Sequence, residues 1–244
     1  MADTLQNEEN QEFEGVRGED HYIQDENETL DPKLKKAIAI TIVAIVAIFG
    51  AVYAYSYMQE QNEEEKYEAS ARLVRVMQLV QSGDMDAALE GSGDNMRGGE
   101  PIMGYREIAE EYSGIEAGKT AALKAADILI GKGEFDEAEK YLNIAIDSDA
   151  LITKLGANAN LALIEENKEN YSEAAALYAK ASALSEATSL QQKFSYFAGL
   201  NYGMAGDNEK AGSSLNRSIK LSQGSQWANL SRLELARLGI KIDS

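Results

Sequence analysis

The sequence predicts an all-α protein, a single N-terminal transmembrane helix followed by an α-solenoid of stacked helix pairs. Three observations carry this. The stretch from Ala37 to Tyr57, AIAITIVAIVAIFGAVYAYSY, has no charged side chain in a chain that is 26% charged. Between Ile102 and Gly239 every strong segment has helical periodicity, and strand-type alternation is missing. Within that region three segments align with one another at spacings of 36 and 37 residues.

The apolar stretch comes first. At about 1.5 Å per residue it covers roughly 31 Å as a helix, which matches a hydrocarbon core of about 30 Å. Asp31 supplies an N-cap acceptor, and Pro32 suits a first turn, where its missing N–H is no loss. A helix in a soluble core would carry a polar stripe, and none appears. A cleavable signal peptide is the stronger rival, with Val52 and Ala54 at a small-x-small spacing, but the apolar run is long for one and its leader is long and acidic.

Lys33, Lys35 and Lys36 crowd one end of the span, whereas the other end meets Gln59, Glu60, Glu63, Glu64 and Glu65 before Lys66. The positive-inside bias therefore places the N-terminus in the cytoplasm and the larger C-terminal part outside, with Tyr53, Tyr55 and Tyr57 at the outer interface. Ala47, Gly50, Ala51 and Ala54 form a small-residue face that permits close packing against another membrane helix. The span is placed at residues 32–58.

The chain has 244 residues and a net charge of −18, which argues against a nucleic-acid backbone as partner. Residues 1–31 hold eleven acidic side chains against Arg17 alone and few aliphatic ones, so they are expected to be a disordered cytoplasmic tail. A short docking peptide around His21, Tyr22 and Ile23 is the functional alternative for that tail. With no cysteine there are no disulfides, thiolate metal sites or cysteine nucleophiles, and with His21 as the only histidine the remainder has no histidine acid–base chemistry.

Residues 59–100 are expected to form a helical stalk, a divergent first repeat and a loop. Tyr67, Ser70, Val74, Met77 and Gln81 share one helical face, beside Ala71, Leu73 and Val80. The loop GSGDNMRGGEP from Gly91 is rich enough in glycine to predict no regular element. Gly91 and Gly93 do not make a phosphate loop, because no Gly-Lys-Ser/Thr follows and no strand precedes.

Residues 101–240 carry the repeats. AADILIGKGEFDEAEKYLNIAI from Ala125, LALIEENKENYSEAAALYAKAS from Leu161 and AGLNYGMAGDNEKAGSSLNRSI from Ala198 bring Ala138, Ala174 and Ala211 into register. Seven residues on stand Ala145, Ala181 and Ser218, and twelve residues before stand Ala126, Ala162 and Gly199. Small residues at fixed offsets let the two helices of a pair approach closely. Phe135 and Tyr171 are expected to plug the turns, and Leu129, Leu142, Tyr178, Tyr202 and Leu215 to fill the seam. Gly83 and Ala88 stand at the same relative offset as Gly133 and Ala138, which marks 74–88 as a fourth, divergent copy. Trp227, Leu230, Leu233 and Leu238 suit a final capping helix.

Gly133-Glu134-Phe135-Asp136-Glu137-Ala138 resembles the tetratricopeptide repeat, with its Gly-x-aromatic-x-x-Ala signature. The second copy departs from it with Glu169 at the turn glycine, the third with Asn208 at the aromatic, and none has the closing proline. The stretch PIMGYREIAEEYSGIEAGKTAALKAADIL, together with the order of tail, span and repeats, resembles the YfgM-type family of ancillary subunits of the SecYEG translocon, over residues 33–240. The long acidic tail is a departure.

The repeat resemblance implies a concave binding face on the first helix of each pair. Carried onto this chain, that face includes Leu123, Asp127, Ile130, Leu163, Glu166, Asn167, Tyr196, Leu200 and Met204. A mixed, partly apolar face suits extended, incompletely folded segments. The alternative for these residues is packing beneath neighbouring repeats.

No catalytic set, cofactor site or metal site is expected. Glu134, Asp136, Glu137 and Glu139 read as acids favoured at a helix N-terminus, and Asp147-Ser148-Asp149 is too short for a calcium loop. The family resemblance implies an envelope protein with no enzymatic activity, in the bacterial inner membrane. Its partners would be membrane translocon subunits, a periplasmic chaperone and unfolded secreted chains. A scaffold for another envelope assembly, or a single-pass regulator signalling through the acidic tail, are the alternatives.

Overall fold

The protein is all-α apart from one two-residue β pairing, in a computed structural model that describes residues 31–93 and 101–243. The expectations for residues 1–30, including the docking peptide around His21, and for most of the glycine-rich loop lie outside the described residues. The chain divides into two units, Met1–Tyr55 and Ser56–Ser244.

In the first unit the described chain is the start of helix α1 (Pro32–Gln81). The Asp31 carboxylate accepts the N–H of Lys33 at 2.9 Å, so the N-cap forms where Asp-Pro places it. Ile40, Val43, Val46, Phe49 and Val52 are exposed, as are Ala47, Gly50, Ala51 and Ala54, and a methyl group added at Gly50 would meet nothing within 4 Å. Among the described residues no helix is long and apolar enough to cross a membrane. The side chains at 37–39, 42 and 45, inside the charge-free stretch, are outside that description.

The second unit begins with the rest of α1 and continues with α2 (Met85–Glu90), β1 (Gly91–Ser92), β2 (Ile102–Met103) and α3 (Tyr105–Glu111). Then come α4 (Glu116–Lys132), α5 (Phe135–Ala145), α6 (Leu151–Asn167), α7 (Tyr171–Leu184), α8 (Thr188–Met204), α9 (Asn208–Leu221) and α10 (Gln226–Leu238). Each helix from α3 onward packs on the one before it, with α4 also meeting α6 and α8 also meeting α10.

One turn is used five times. After α1, α4, α6, α8 and α10 a residue with positive φ reverses the chain: Gly83 at +82°, Gly133 at +80°, Glu169 at +60°, Gly206 at +84° and Gly239 at +69°. The next N–H returns to a carbonyl five residues back, as from Asp84 to Leu79, Glu134 to Leu129, Asn170 to Glu165, Asp207 to Tyr202 and Ile240 to Leu235. This closes the orphan carbonyls of the helix end. Asp84 and Asp207 then cap the following helix, accepting from the N–H groups of Ala87 and Lys210. The segment at 74–88 therefore uses the same turn between its helices as the three aligned copies, with a shorter second helix of six residues.

The aligned small residues are the contact points. Ala138, Ala174 and Ala211 are all fully buried, as are Ala145, Ala181, Ser218, Ala126 and Ala162. At Gly199 an added methyl would lie 2.5 Å from the Leu215 side chain, so α8 and α9 meet at backbone distance there. Leu129, Leu142 and Leu215 fill the space between, each fully buried and each favouring the folded chain by about 1.5–3 kcal/mol. The first core runs from Ala69, Val76 and Leu79 of α1 through Leu89, Ile108 and Leu129 to Ile164, so the end of α1 and α2 share one core with α3–α5. Arg106 on α3 fastens this region, pairing with Glu90 at 3.0 Å and Glu137 at 2.8 Å.

One element differs from the sequence expectation, and in two helices the structure decides which edge is buried. Gly91 and Ser92 pair antiparallel with Met103 and Ile102, although glycine density argued against a regular element there. The pairing depends on glycine: a methyl on Gly104 would lie 2.3 Å from the Leu89 carbonyl oxygen, and only bare backbone fits that crossing. In α10 the buried face is Ala228, Ser231, Glu234 and Leu235, with Leu238 half-buried, while Leu233 is 69% exposed. In α1 the buried face is Ala69, Val76 and Leu79, and the stripe of Tyr67, Val74 and Met77 faces outward.

Candidate protein-binding face

The nine candidate residues lie on α4, α6 and α8, the first helices of the three aligned pairs. Four of them join one pair to the next. The δ carbons of Leu123 lie where a methyl on Gly156 would be, at 2.8 Å, so Leu123 is buried between α4 and α6. Asp127 accepts from the Asn160 amide at 2.7 Å across the same two helices. Glu166 of α6 accepts from the Tyr178 hydroxyl at 2.8 Å and from the Asn201 amide of α8. Tyr196 of α8 lies against Trp227 of α10 with ring centroids 5.7 Å apart.

The remainder divide by exposure. Ile130 and Leu200 are half-buried, and Ile130 packs on the first core. Leu163, Asn167 and Met204 are exposed, with Leu163 at 40% and Met204 at 51%. Of the nine, those open to a partner are Leu163, Asn167, Met204 and the outer side of Asp127, a mixed set of two apolar and two polar side chains. Such a set can hold a partner by burial and orient it by hydrogen bonds.

Aromatic packing stiffens the far end. Tyr178 stacks with Phe197 at 5.3 Å, and Phe197 and Tyr196 both lie against Trp227. Burial and the hydrogen bond to Glu166 push the Tyr178 hydroxyl far above the ordinary phenol range. Burial and the Glu110 carboxylate push Tyr141 up to about 12. Both phenols therefore stay protonated at any physiological pH and act as hydrogen-bond donors.

Sequence reasoning missed two polar joints. The Glu116 carboxylate of α4 accepts from the Asp149 N–H at 2.9 Å, the Ala150 N–H at 3.3 Å, the Ser148 hydroxyl and Lys119, and so caps α6 from another helix. Burial opposes its charge, but these donors bring its pKa down to about 2. Asn201 is the second joint, standing where the aligned repeats have Ile128 and Ile164. Its only sequence signal is that substitution of amide for isoleucine.

Two hollows were not anticipated either. One of about 650 Å³ lies between α9 and residues 240–243, where Asn216 holds the chain end by accepting from the Asp243 N–H at 3.0 Å. Another of about 220 Å³ is mostly apolar, lined by Leu151, Ile152, Leu155, Leu184 and Leu190 with Ser185 and Glu186 beside them. Among the described residues no group of three potential metal ligands is gathered.

Compared with known proteins, the chain matches no family model, no curated protein and no solved structure.

Proposed function

We propose that this chain is a membrane-anchored, tetratricopeptide-like repeat protein that binds other proteins and performs no catalysis. The observation that carries the reading is one helix-ending turn used at Gly83, Gly133, Glu169, Gly206 and Gly239, the last four at spacings of 36, 37 and 33 residues, with stacked helix pairs that leave Leu163, Asn167 and Met204 exposed. Stacked pairs of this kind present extended surfaces, and a partly apolar one suits segments of unfolded chain.

The anchor in this reading is the charge-free stretch from Ala37 to Tyr57, helical throughout and exposed at its described side chains. Its lysine bias favours a cytoplasmic N-terminus and a periplasmic repeat unit in the bacterial inner membrane. With the resemblance to the YfgM-type subunits, this supports an accessory role beside the translocon, passing secreted chains to periplasmic chaperones.

Two measurements test it. Protease added to spheroplasts is expected to digest the repeat unit, and protection would overturn the orientation. Photo-crosslinkers at Leu163 and Met204 in cells are expected to capture secreted precursors or translocon subunits. Capture of neither, with the protein present at normal level, would overturn the function.

A further inference from the structure

We infer that the outward stripe of α1 in the repeat unit, Tyr67, Ser70, Val74, Met77 and Gln81, is a seam for a second copy of this chain, with the two helices parallel. The residues recur at intervals of three and four, the spacing that keeps one edge of a helix against a partner helix over successive turns. Tyr67 is 78% exposed, Val74 62% and Met77 48%, although the opposite edge of the same helix, at Ala69, Val76 and Leu79, is buried in its own core. The helix is apolar on two faces and its own fold uses only one.

Charge selects the occupant. In a parallel homotypic contact each seam residue meets its own copy, so a charge there would face the same charge. None of the five is charged. Of the neighbouring charges, Lys66 pairs with Glu63 at 2.7 Å and Arg72 with Glu68 along the helix itself, and the Ser70 hydroxyl is turned back to the Lys66 carbonyl at 2.8 Å. Seven residues upstream the sequence has Glu60 and Glu63 at the corresponding positions, where a homotypic contact would set like charges together. Parallel alignment also sets Gln81 against Gln81 and Tyr67 against Tyr67, whereas an antiparallel one centred on Val74 would set Gln81 against Tyr67.

The seam covers about two heptads, fewer than the three or four that sustain a free coiled coil. Association is therefore weak in dilute solution and strengthens when the chains share a bilayer or micelle, where effective concentrations reach the millimolar range. The seam stands without the membrane reading. Only its strengthening in a bilayer rests on that reading.

Because the chain has no cysteine, single cysteines report the contact without background. The full-length protein, in phosphatidylcholine vesicles and separately at high concentration in detergent, would carry Ser70→Cys, Val74→Cys, Met77→Cys, Glu68→Cys or Arg75→Cys and be oxidised mildly. Cysteines at 70, 74 and 77 are expected to give a disulfide-linked dimer in at least about tenfold higher yield than those at 68 and 75, which would point away beyond bridging distance. Adding Val74→Asp to Ser70→Cys is expected to lower that yield about tenfold at unchanged helicity, because it sets two carboxylates face to face. Equal yields at all five positions, or no dimer in either setting, would overturn the seam. Vesicle flotation reads the anchor separately, so a chain that fails to float but crosslinks with this periodicity in detergent refutes the span and keeps the seam.

Discussion

Glu166 on α6 and Asn201 on α8, 35 residues apart, are joined by a hydrogen bond from the asparagine amide to the carboxylate. The same amide also donates to the Phe197 carbonyl of its own helix at 2.9 Å, and Glu166 receives the Tyr178 hydroxyl as well. Asn201 is fully buried and its Oδ1 has no hydrogen-bond partner among the described residues. One side chain thus holds two repeats in register, at a site where the other two aligned repeats have Ile128 and Ile164.

Replacing Asn201 with alanine is expected to lower stability by about 1–3 kcal/mol, because Glu166 keeps its half-buried carboxylate and loses a donor. Asn201→Asp should be worse, since it sets a second carboxylate against the first. Urea denaturation of the full-length protein followed by circular dichroism measures both. A loss from Asn201→Ala equal to that at an exposed asparagine such as Asn167 would show that the joint contributes nothing.

Glu169 adopts φ +60° at a turn where the equivalent positions are Gly83, Gly133, Gly206 and Gly239. A side chain in this region crowds its own carbonyl by about 1–2 kcal/mol, partly offset by the greater freedom of glycine in the unfolded chain. Glu169→Gly is therefore expected to stabilise the protein by about 0.5–1 kcal/mol and raise its melting temperature by a few degrees. Glu169→Val, which tolerates positive φ worse, should move it in the opposite direction.

These two positions show where the sequence was readable and where it was not. The period of Ala138, Ala174 and Ala211 is a steric signal, since a larger residue would force the helices apart, and it located the pairs α4/α5, α6/α7 and α8/α9. Glu169 was recognisable as an occupant of a glycine turn for the same reason. Glu116 and Asn201 were not, because a polar residue in a helix carries no local mark of the partner that another repeat brings to it. Leu123 illustrates the converse, an apolar position that the repeat pattern placed on the open face and that the approach of Gly156 covers. On α1 the periodicity identified the stripe of Tyr67, Val74 and Met77 but not its burial, because periodicity does not say which edge of a helix the core takes.

Gly199 and Gly131 make a matched pair for the packing argument. A methyl on Gly199 would come 2.5 Å from Leu215 Cγ and 3.1 Å from the Ala211 carbonyl oxygen, whereas one on Gly131 would meet nothing within 4 Å. Gly199→Ala is expected to destabilise by about 1–3 kcal/mol through overpacking. Gly131→Ala, on an exposed position of α4, should stabilise by about 0.5–1 kcal/mol through helix propensity alone. Thermal denaturation of the two variants side by side separates the effects. Equal shifts of the same sign would refute the close approach of α8 and α9.

The Glu116 cap gives the fold an acid-sensitive joint. Burial would raise its pKa, and the donors from Asp149, Ser148, Lys119 and Ala150 outweigh burial, bringing it to about 2 from an ordinary value of 4.5. A folded-state pKa below the unfolded one means that the stabilisation is present in full above about pH 5 and is lost as pH falls toward about 2. The side chain is 43% exposed, so solvent screening limits the effect, and the cap is expected to be worth about 1 kcal/mol. Glu116→Gln should therefore destabilise the protein at pH 7 and differ progressively less from the unmodified chain between pH 5 and pH 2. Denaturation midpoints of both proteins across that interval provide the check. A gap between them that stays constant down to pH 2 would mean that the carboxylate charge is not what holds the start of α6.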